Sequence, residues 1–417
     1  FQYFSVYRNG VVCDYSVEPF YIDENVSIED DLFYNVTATD ANENESEQSE
    51  EAYVSQMSLS VTYVQSWNLV GLPLTTDLNG QLDVFPSSVE GTLFSFDETY
   101  VQESSLIPGI GYWLRFPESG SVLVTGFPIP ELMLYLQADW NLISGITSVV
   151  NMADIIDPDE IIIPGTLFGF TEAYETEISL EPGRGYWLRT YNEGEITLTS
   201  DYRTAKPKFE KRTEEANLLS INGQKLYFGL DIPDGQELSY SLPPKPPVGA
   251  FDARFKNNVQ MVKDYGEVEI MNQDETLSIA FEIIINAGEY NNWVLTSVTD
   301  EEIILEEAGS IVVPSAERFT LELKPIIPEA FTLHQNFPNP FNPVTTLRYD
   351  LPDQTHVILT VYDMLGREIM QLVNTTQEAG FKSIQWNATD SMGRPVSAGV
   401  YLYQIQAGEF VQTKKIV

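Results

Sequence analysis

Histidine and cysteine are the side chains that most often activate a nucleophile or hold zinc. This chain has two of the first, His334 and His356, and one of the second, Cys13. A Ser-His-Asp or Cys-His site needs a histidine beside its nucleophile and a third group that orients the ring. Both histidines fall in the last part of the chain, far in sequence from Cys13, and a Cys/His zinc site lacks ligands. Carboxylates are everywhere, with 62 Asp and Glu, so counting does not exclude an acid–base pair. Asp77-Leu78-Asn79-Gly80 followed by Asp83 has a fragment of calcium-loop spacing, and hard oxygen ligands would suit that ion. A plain turn is the simpler reading, so no cofactor is expected and calcium is left as the open alternative. Two aromatic pairs, Tyr112–Trp113 and Tyr186–Trp187, could stack on the apolar faces of sugar rings. Core packing is the competing reading: in a strand one ring of each pair faces in and the other out. The expectation is a non-enzyme, with these four rings as candidate glycan-stacking residues.

The elements that would position such groups are strands. A chain of 417 residues suggests several domains, and 12% aromatic content with 24 prolines and 26 glycines favours short strands broken by turns. The formal charge is −40, which disfavours nucleic acid and anionic membranes as partners. It is unevenly placed. From Ile326 onward there are 8 acidic and 6 basic residues, whereas residues 1–64 alone hold 13 acidic residues and one basic, Arg8. One cysteine allows no intrachain disulfide, and no apolar run is long enough to span a membrane.

An internal repeat organises the middle of the chain. The first copy has WNLVGLPL at Trp67, GTLFSFDETY at Gly91 and IPGIGYWLRF at Ile107. The second has WNLISGIT at Trp140, GTLFGFTEAY at Gly165 and EPGRGYWLRT at Glu181, each 73 or 74 positions later. The PGxGYW motif needs glycine where the backbone takes positive φ before an aromatic strand. The copies predict either two tandem β domains, 65–133 and 134–200, or one pseudo-symmetric unit. Residues 201–216 read as a polar linker. Residues 217–325 read as a further β-sandwich, with the PPKPP run at Pro243 as an extended loop because proline denies a strand its donors.

The last region, 326–417, opens with FTLHQNFPNPFNPVTTLRYDL. Pro338, Pro340 and Pro343 fix φ and push Phe337, Asn339 and Asn342 toward extended backbone, leaving Phe331, Phe337 and Phe341 as expected buried anchors. Leu347, Tyr349 and Leu351 form one inward row and Val357, Leu359 and Val361 the next. DMLG at Asp363 is a hairpin turn with Gly366 at its left-handed position. QEAG at Gln377 and AGVY at Ala398 make further turns. About seven short strands at this spacing predict an immunoglobulin-like sandwich, and the whole chain is expected to be all-β and multidomain, built of tandem β-sandwich or immunoglobulin-like domains.

This region resembles the type A C-terminal sorting domain of the type IX secretion system. The residues that carry the resemblance include Asn336, Pro338, Asn339, Pro340, Phe341, Asn342 and Pro343 in the entry motif. Tyr362, Asp363, Gly366 and Arg367 carry it in the first hairpin. Ala379, Gly380, Trp386, Gly393, Gly399, Tyr401, Gly408 and Lys415 complete it. The resemblance implies export of a periplasmic protein across the outer membrane of a Gram-negative bacterium by the type IX machinery. The cargo is then released or attached to surface lipopolysaccharide. Family members usually run a few residues beyond the final lysine-apolar motif, whereas this chain stops at KKIV. At the other end, VYRNG, FYIDENV and YNVTATDANENESEQSE resemble the second half of a fibronectin type III domain over residues 1–64. The strands that should come before are missing, so the expectation is a C-terminal piece of a longer protein. Its expected role is a non-catalytic region of spacer and interaction domains with an export signal. The alternatives are an accessory tail of a secreted hydrolase, peptidase or glycosidase, and an adhesin whose repeats bind extracellular glycans.

Overall fold

Alternating side chains and abundant glycine and proline leave little besides strands. The computed structural model describes all residues except 1, 22, 24–31, 200–208, 210, 272, 273 and 289. Among the described residues helix is confined to single turns at Gln81–Val84, Met152–Asp154, Arg212–Glu215 and Glu237–Tyr240. Most of the expected linker, and part of FYIDENV, lies outside the described residues. Among the described residues no helix is long and apolar enough to cross a membrane.

Contacts divide the chain into two compact units. The first holds Phe1–Ile285 with Ser297–Asp300 and Glu307–Thr320; the second holds Asn286–Thr296, Glu301–Glu306 and Leu321–Val417. The division therefore falls inside the stretch expected to form the 217–325 sandwich.

The first unit begins with four antiparallel strands in the order Val11–Ser16, Tyr3–Arg8, Leu32–Thr39, Ala52–Val54. The acidic loop between Leu32–Thr39 and Ala52–Val54 opens with a turn: the Asp40 carboxylate accepts the N–H groups of Asn42 (2.8 Å) and Asn44 (2.9 Å).

The two repeats then share one eight-stranded sheet. Its order runs Asp139–Ser144, Gly185–Thr190, Phe168–Thr171, Ser66–Gly71, Gly111–Phe116, Phe94–Asp97, Thr99–Gln102, with Ala173–Thr176 added to Phe168–Thr171. Each repeat keeps its own core on one face, around Leu72, Phe85 and Tyr112 in the first and Ile146, Leu180 and Tyr186 in the second. The two copies thus share a sheet, and their local contacts correspond pair by pair. Asn68 Nδ2 donates to the Val64 and Ser66 carbonyls while its Oδ1 accepts from Val64 N–H, and Asn141 does the same with Gln137 and Asp139. Tyr112 Oη accepts Ile107 N–H at 3.0 Å, and Tyr186 Oη accepts Glu181 N–H at 2.8 Å.

The PGxGYW glycines build the seam between the copies. Gly109 and Gly183 take φ of 86° and 78°, as only glycine does freely. Gly183 offers its carbonyl to Gly71 N–H (3.0 Å) and Gly109 offers its own to Ser144 N–H (2.9 Å). The second glycine permits close approach: a Cβ on Gly111 would lie 2.3 Å from the Ile143 carbonyl oxygen, and one on Gly185 would lie 2.7 Å from that of Val70.

Beyond the repeats the first unit carries a five-stranded sheet in the order Met261–Val262, Gln224–Phe228, Asn217–Ile221, Thr276–Glu282, Ala308–Pro314. A separate pairing joins Asp252–Phe255 to Tyr265–Met271.

The second unit is built on a seven-strand sandwich. Thr332–Leu333, Thr345–Leu351 and Gly380–Trp386 form one sheet. The other runs Glu368–Gln377, Thr355–Asp363, Tyr401–Ala407, Phe410–Ile416. The two expected inward rows are buried together with Trp386, Tyr403, Ile405 and Ile416. Phe331 stacks on Phe410 (5.6 Å) and Phe341 packs on Trp386 (5.5 Å). Phe337 corrects the expectation of a third anchor, since it is 76% exposed. Its backbone pairs on both sides with Thr346, and the alternation then gives the inward position to its neighbour Asn336.

Candidate functional site

The entry motif closes on the end of the chain. Asn336 is a buried amide, and such a group must find partners or destabilise the fold. Its Nδ2 donates to the Pro338 carbonyl (3.1 Å) and to Thr345 Oγ1 (2.9 Å), while its N–H donates to Tyr403 Oη (2.9 Å). Tyr403 in turn donates to the His334 carbonyl at 2.5 Å, and Thr345 Oγ1 donates to Pro338 at 2.9 Å. Burial pushes the Tyr403 hydroxyl up to about 12, so it stays protonated as a donor. The neighbouring amides grip the last strand. Gln335 Nε2 donates to the Lys415 carbonyl (2.8 Å), Val417 N–H donates to Asn339 Oδ1 (3.0 Å), and Phe341 N–H donates to the Val417 carbonyl (3.1 Å). The peptide bonds before Pro338 and Pro340 are cis. Pro338, Pro340, Asn342 and Pro343 are exposed, so this latch presents its proline surface outward.

Asp363 and Arg367 brace the first hairpin. Asp363 Oδ1 accepts the N–H groups of Leu365 and Arg367, both at 2.9 Å, and Arg367 Nε donates to Oδ2 at 2.6 Å. Gly366 sits at φ 78°. These bonds, led by the Arg367 N–H, hold the Asp363 carboxyl below its ordinary value. Tyr362 continues the strand opposite Leu402, and Tyr401 caps the AGVY turn by donating to the Ser397 carbonyl (2.6 Å). Gly399 lies exposed in that turn, and Gly408 takes φ 59° in the last hairpin.

A second turn of the same design was missed in the sequence. Asp390 Oδ1 accepts Met392 and Arg394 N–H groups at 2.9 Å, Arg394 Nε donates to Oδ2 at 2.9 Å, and Gly393 has φ 74°. The signal was legible as Asp-x-x-Gly-Arg occurring twice, at Asp363 and Asp390. The turns are tied together, because Ser391 N–H donates to the Ile369 carbonyl (3.0 Å). Their tips expose Met364 (62%), Leu365 (80%) and Met392 (76%), flexible apolar chains beside two guanidinium groups.

The chemistry-bearing residues do not assemble. His334 Nε2 meets Asp350 Oδ2 at 2.6 Å in a half-buried pair, His356 meets Asn374 Oδ1 at 3.0 Å, and Cys13 Sγ donates to the Val6 carbonyl at 3.4 Å. Among the described residues no group of three or more His, Cys, Asp or Glu could hold a metal ion. Gly80, from the calcium-like segment, is the N-cap of the helical turn Gln81–Val84. The glycan-stacking expectation is corrected: Tyr112 and Tyr186 fill the two repeat cores, and Trp113 and Trp187 are fully buried on the opposite face. No ring of either pair offers a free face. The sheet is covered on both sides, which a one-sided strand reading did not anticipate.

Residues 335–417 match the family described as a secretion system C-terminal sorting domain. The chain thus carries a type IX sorting signal, which implies contact with that machinery and export to the cell surface or beyond it. Among curated proteins none matches the chain. Among solved structures it is similar to dimeric latent PorU from Porphyromonas gingivalis, at 10% identity over 99% of this chain and 34% of that one, with a TM-score of 0.18. The chain spans about a third of the length of that protein.

Proposed function

We propose that this chain is a non-catalytic region of a secreted or surface-held protein, in which β units serve as spacers and interaction modules and the final domain is the delivered signal. The sorting domain carries this reading. Its entry motif is fastened to the last strand, so the recognised element is a folded sandwich with both ends closed together. We infer that the twinned turns are the surface the type IX machinery reads. The machinery would meet Met364, Leu365 and Met392 as an apolar contact, with Arg367 and Arg394 at its rim. After transit through the periplasm of a Gram-negative cell the chain is released or held at surface lipopolysaccharide. The first sheet belongs to a fibronectin type III-like spacer in this scheme.

Deletion of residues 326–417 is expected to leave the protein in the periplasm, measured by fractionation and surface proteolysis. Unchanged surface display would overturn the proposal. A finer test is the triple change Met364→Asp, Leu365→Asp, Met392→Asp, which leaves the core untouched. It should lower export while the purified variant melts as the parent does. Normal export of that variant would remove the turns from the reading.

A further inference from the structure

The buried face of the repeat sheet has an occupant that points to a second kind of site. On this face the two copies exchange aromatic contacts across the seam. Trp113 meets Phe170 edge-on at 4.7 Å, and Trp187 meets Phe96 at 4.7 Å. Trp67 and Trp140 stand edge-on to Trp113 and Trp187, each at 6.4 Å. Tyr100 and Tyr174 occupy equivalent places in the two copies. Against them lies Leu242-Pro243-Pro244-Lys245-Pro246-Pro247, in which Leu242, Pro243 and Pro246 are buried and Lys245 is exposed. Burial at a spacing of three is what a polyproline helix of three residues per turn presents to a surface.

Such a helix makes no internal hydrogen bonds, so its carbonyls need outside donors. Three successive ones receive them from side chains. Arg254 Nη1 donates to Pro243 O, Tyr174 Oη to Pro244 O and Tyr100 Oη to Lys245 O, each at 2.7 Å. Arg254 is fully buried and doubly bonded to Asp252, at 2.6 and 2.7 Å. Lys245 Nζ reaches Glu269 at 2.8 Å. The indole nitrogens of Trp67, Trp113 and Trp187 are buried without a hydrogen bond of ordinary geometry. The Trp113 and Trp187 indoles are directed instead at the hydroxyls of Tyr100 and Tyr174, which hold the segment.

We propose that this twinned aromatic face is a recognition site for an extended proline-rich segment of the form proline-x-x-proline. Residues 242–247 are its resident ligand in cis. Aromatic grooves take such segments because the ligand is stiff before it binds and loses little entropy. Tethering gives the resident segment a high effective concentration, so it shuts out the same segment in trans. The inference does not depend on the export reading.

The test uses the full chain. The variant Pro243→Gly, Pro246→Gly loosens the resident segment, and the probe is the synthetic peptide Leu-Pro-Pro-Lys-Pro-Pro, with Leu-Ala-Ala-Lys-Ala-Ala as control. By calorimetry the parent should bind neither peptide, and the variant should bind the proline peptide at least tenfold more tightly than the control. The variant's tryptophan emission should return to the parent's position on binding. Equal affinity for both peptides, or none in a variant that keeps the parent's circular dichroism, would overturn the proposal. If the glycine variant does not fold, Tyr100→Phe, Tyr174→Phe decides instead. Loss of both donors should speed cleavage after Pro244 or Pro247 by a proline-specific endopeptidase at least tenfold, and an unchanged rate would sink the idea.

Discussion

Two motifs occur twice in this chain, and they end in opposite places. PGxGYW is turned inward: its tyrosines fill the cores, its tryptophans are buried on the opposite face, and its glycines form the seam. Asp-x-x-Gly-Arg is turned outward, with Met364, Leu365 and Met392 in solvent. Both use a glycine at positive φ, so that feature alone does not separate a structural repeat from a recognition surface. What differs is where the motif sits on its strand. The aromatics follow their glycine into a central strand and are covered on both faces. The methionines sit between the strands, at tips that no element covers. Duplication inside the sheet yields a pseudo-dimer held by backbone approach, whereas duplication at its edge yields two copies of one surface.

The sharpest way to break this contrast is to add one methyl group to a glycine of each motif. Gly111→Ala places its Cβ against the backbone of Ile143, which cannot swing aside as a side chain can. A cost of about 3 kcal/mol or more is expected. The unfolding transition followed by tryptophan emission should move strongly, since Trp67, Trp113, Trp140 and Trp187 all lie in the repeats. Gly366→Ala meets nothing within 4 Å and carries only the strain of φ 78°. That is about 1 kcal/mol. Equal losses in the two variants would mean that the seam is not the tight element described.

Much of this was legible in the sequence. Period-two rows at Leu347–Leu351 and Val357–Val361 mark both faces of the sandwich core, and the repeat leaves open two tandem β domains or one pseudo-symmetric unit. The failures have two causes. Alternation places Tyr112–Trp113 within a single strand and says nothing about what a distant segment lays over the outer face, whereas proline extends the backbone at Phe337 without saying that its neighbour Asn336 takes the inward position. The proline segment lies more than 40 residues beyond the second repeat, so no local pattern linked Pro244 to Tyr174. Asn336 was read as part of a motif without its reason: its amide is the buried hub that the latch is built around.

A smaller effect sharpens the inward half of the comparison through pH. Lys211 places its Nζ 4.7 Å from the Phe168 ring centre and 3.1 Å from Gln260 Oε1. Burial lowers its pKa from 10.5 to about 7. Below about pH 7 the lysine is charged in both folded and unfolded chains, and the folded state bears the full desolvation penalty. Between that value and 10.5 the unfolded chain binds more protons, so stability rises with pH. Burial raises the pKa of Tyr100 and Tyr174, so above the ordinary tyrosine value the unfolded chain loses protons first and stability falls again. Lys211→Met should remove the rising limb and keep the falling one. Denaturant midpoints from about pH 6.5 to about pH 11 measure both limbs, and a rising limb that survives the substitution would refute the assignment.

The smallest expected change belongs to the outward half. Asp363 and Asp390 are held below the ordinary carboxylate value chiefly by the N–H groups of Arg367 and Arg394. Lowered folded-state values mean that their support is complete above the unfolded pKa and is lost only as pH falls through the folded one. Asp363→Asn, Asp390→Asn retains an oxygen acceptor for each turn's N–H groups and removes the charge that fixes the guanidinium. These are exposed ion pairs, so the melting temperature at neutral pH should hardly move. The variant should instead lose the parent's additional destabilisation in strong acid, read as the difference between their melting temperatures on acidification. If the turns are read by the export machinery, freeing both guanidinium groups should lower surface display by more than the unchanged stability explains. A variant that melts and exports as the parent does would make the second duplication a matter of turn geometry alone.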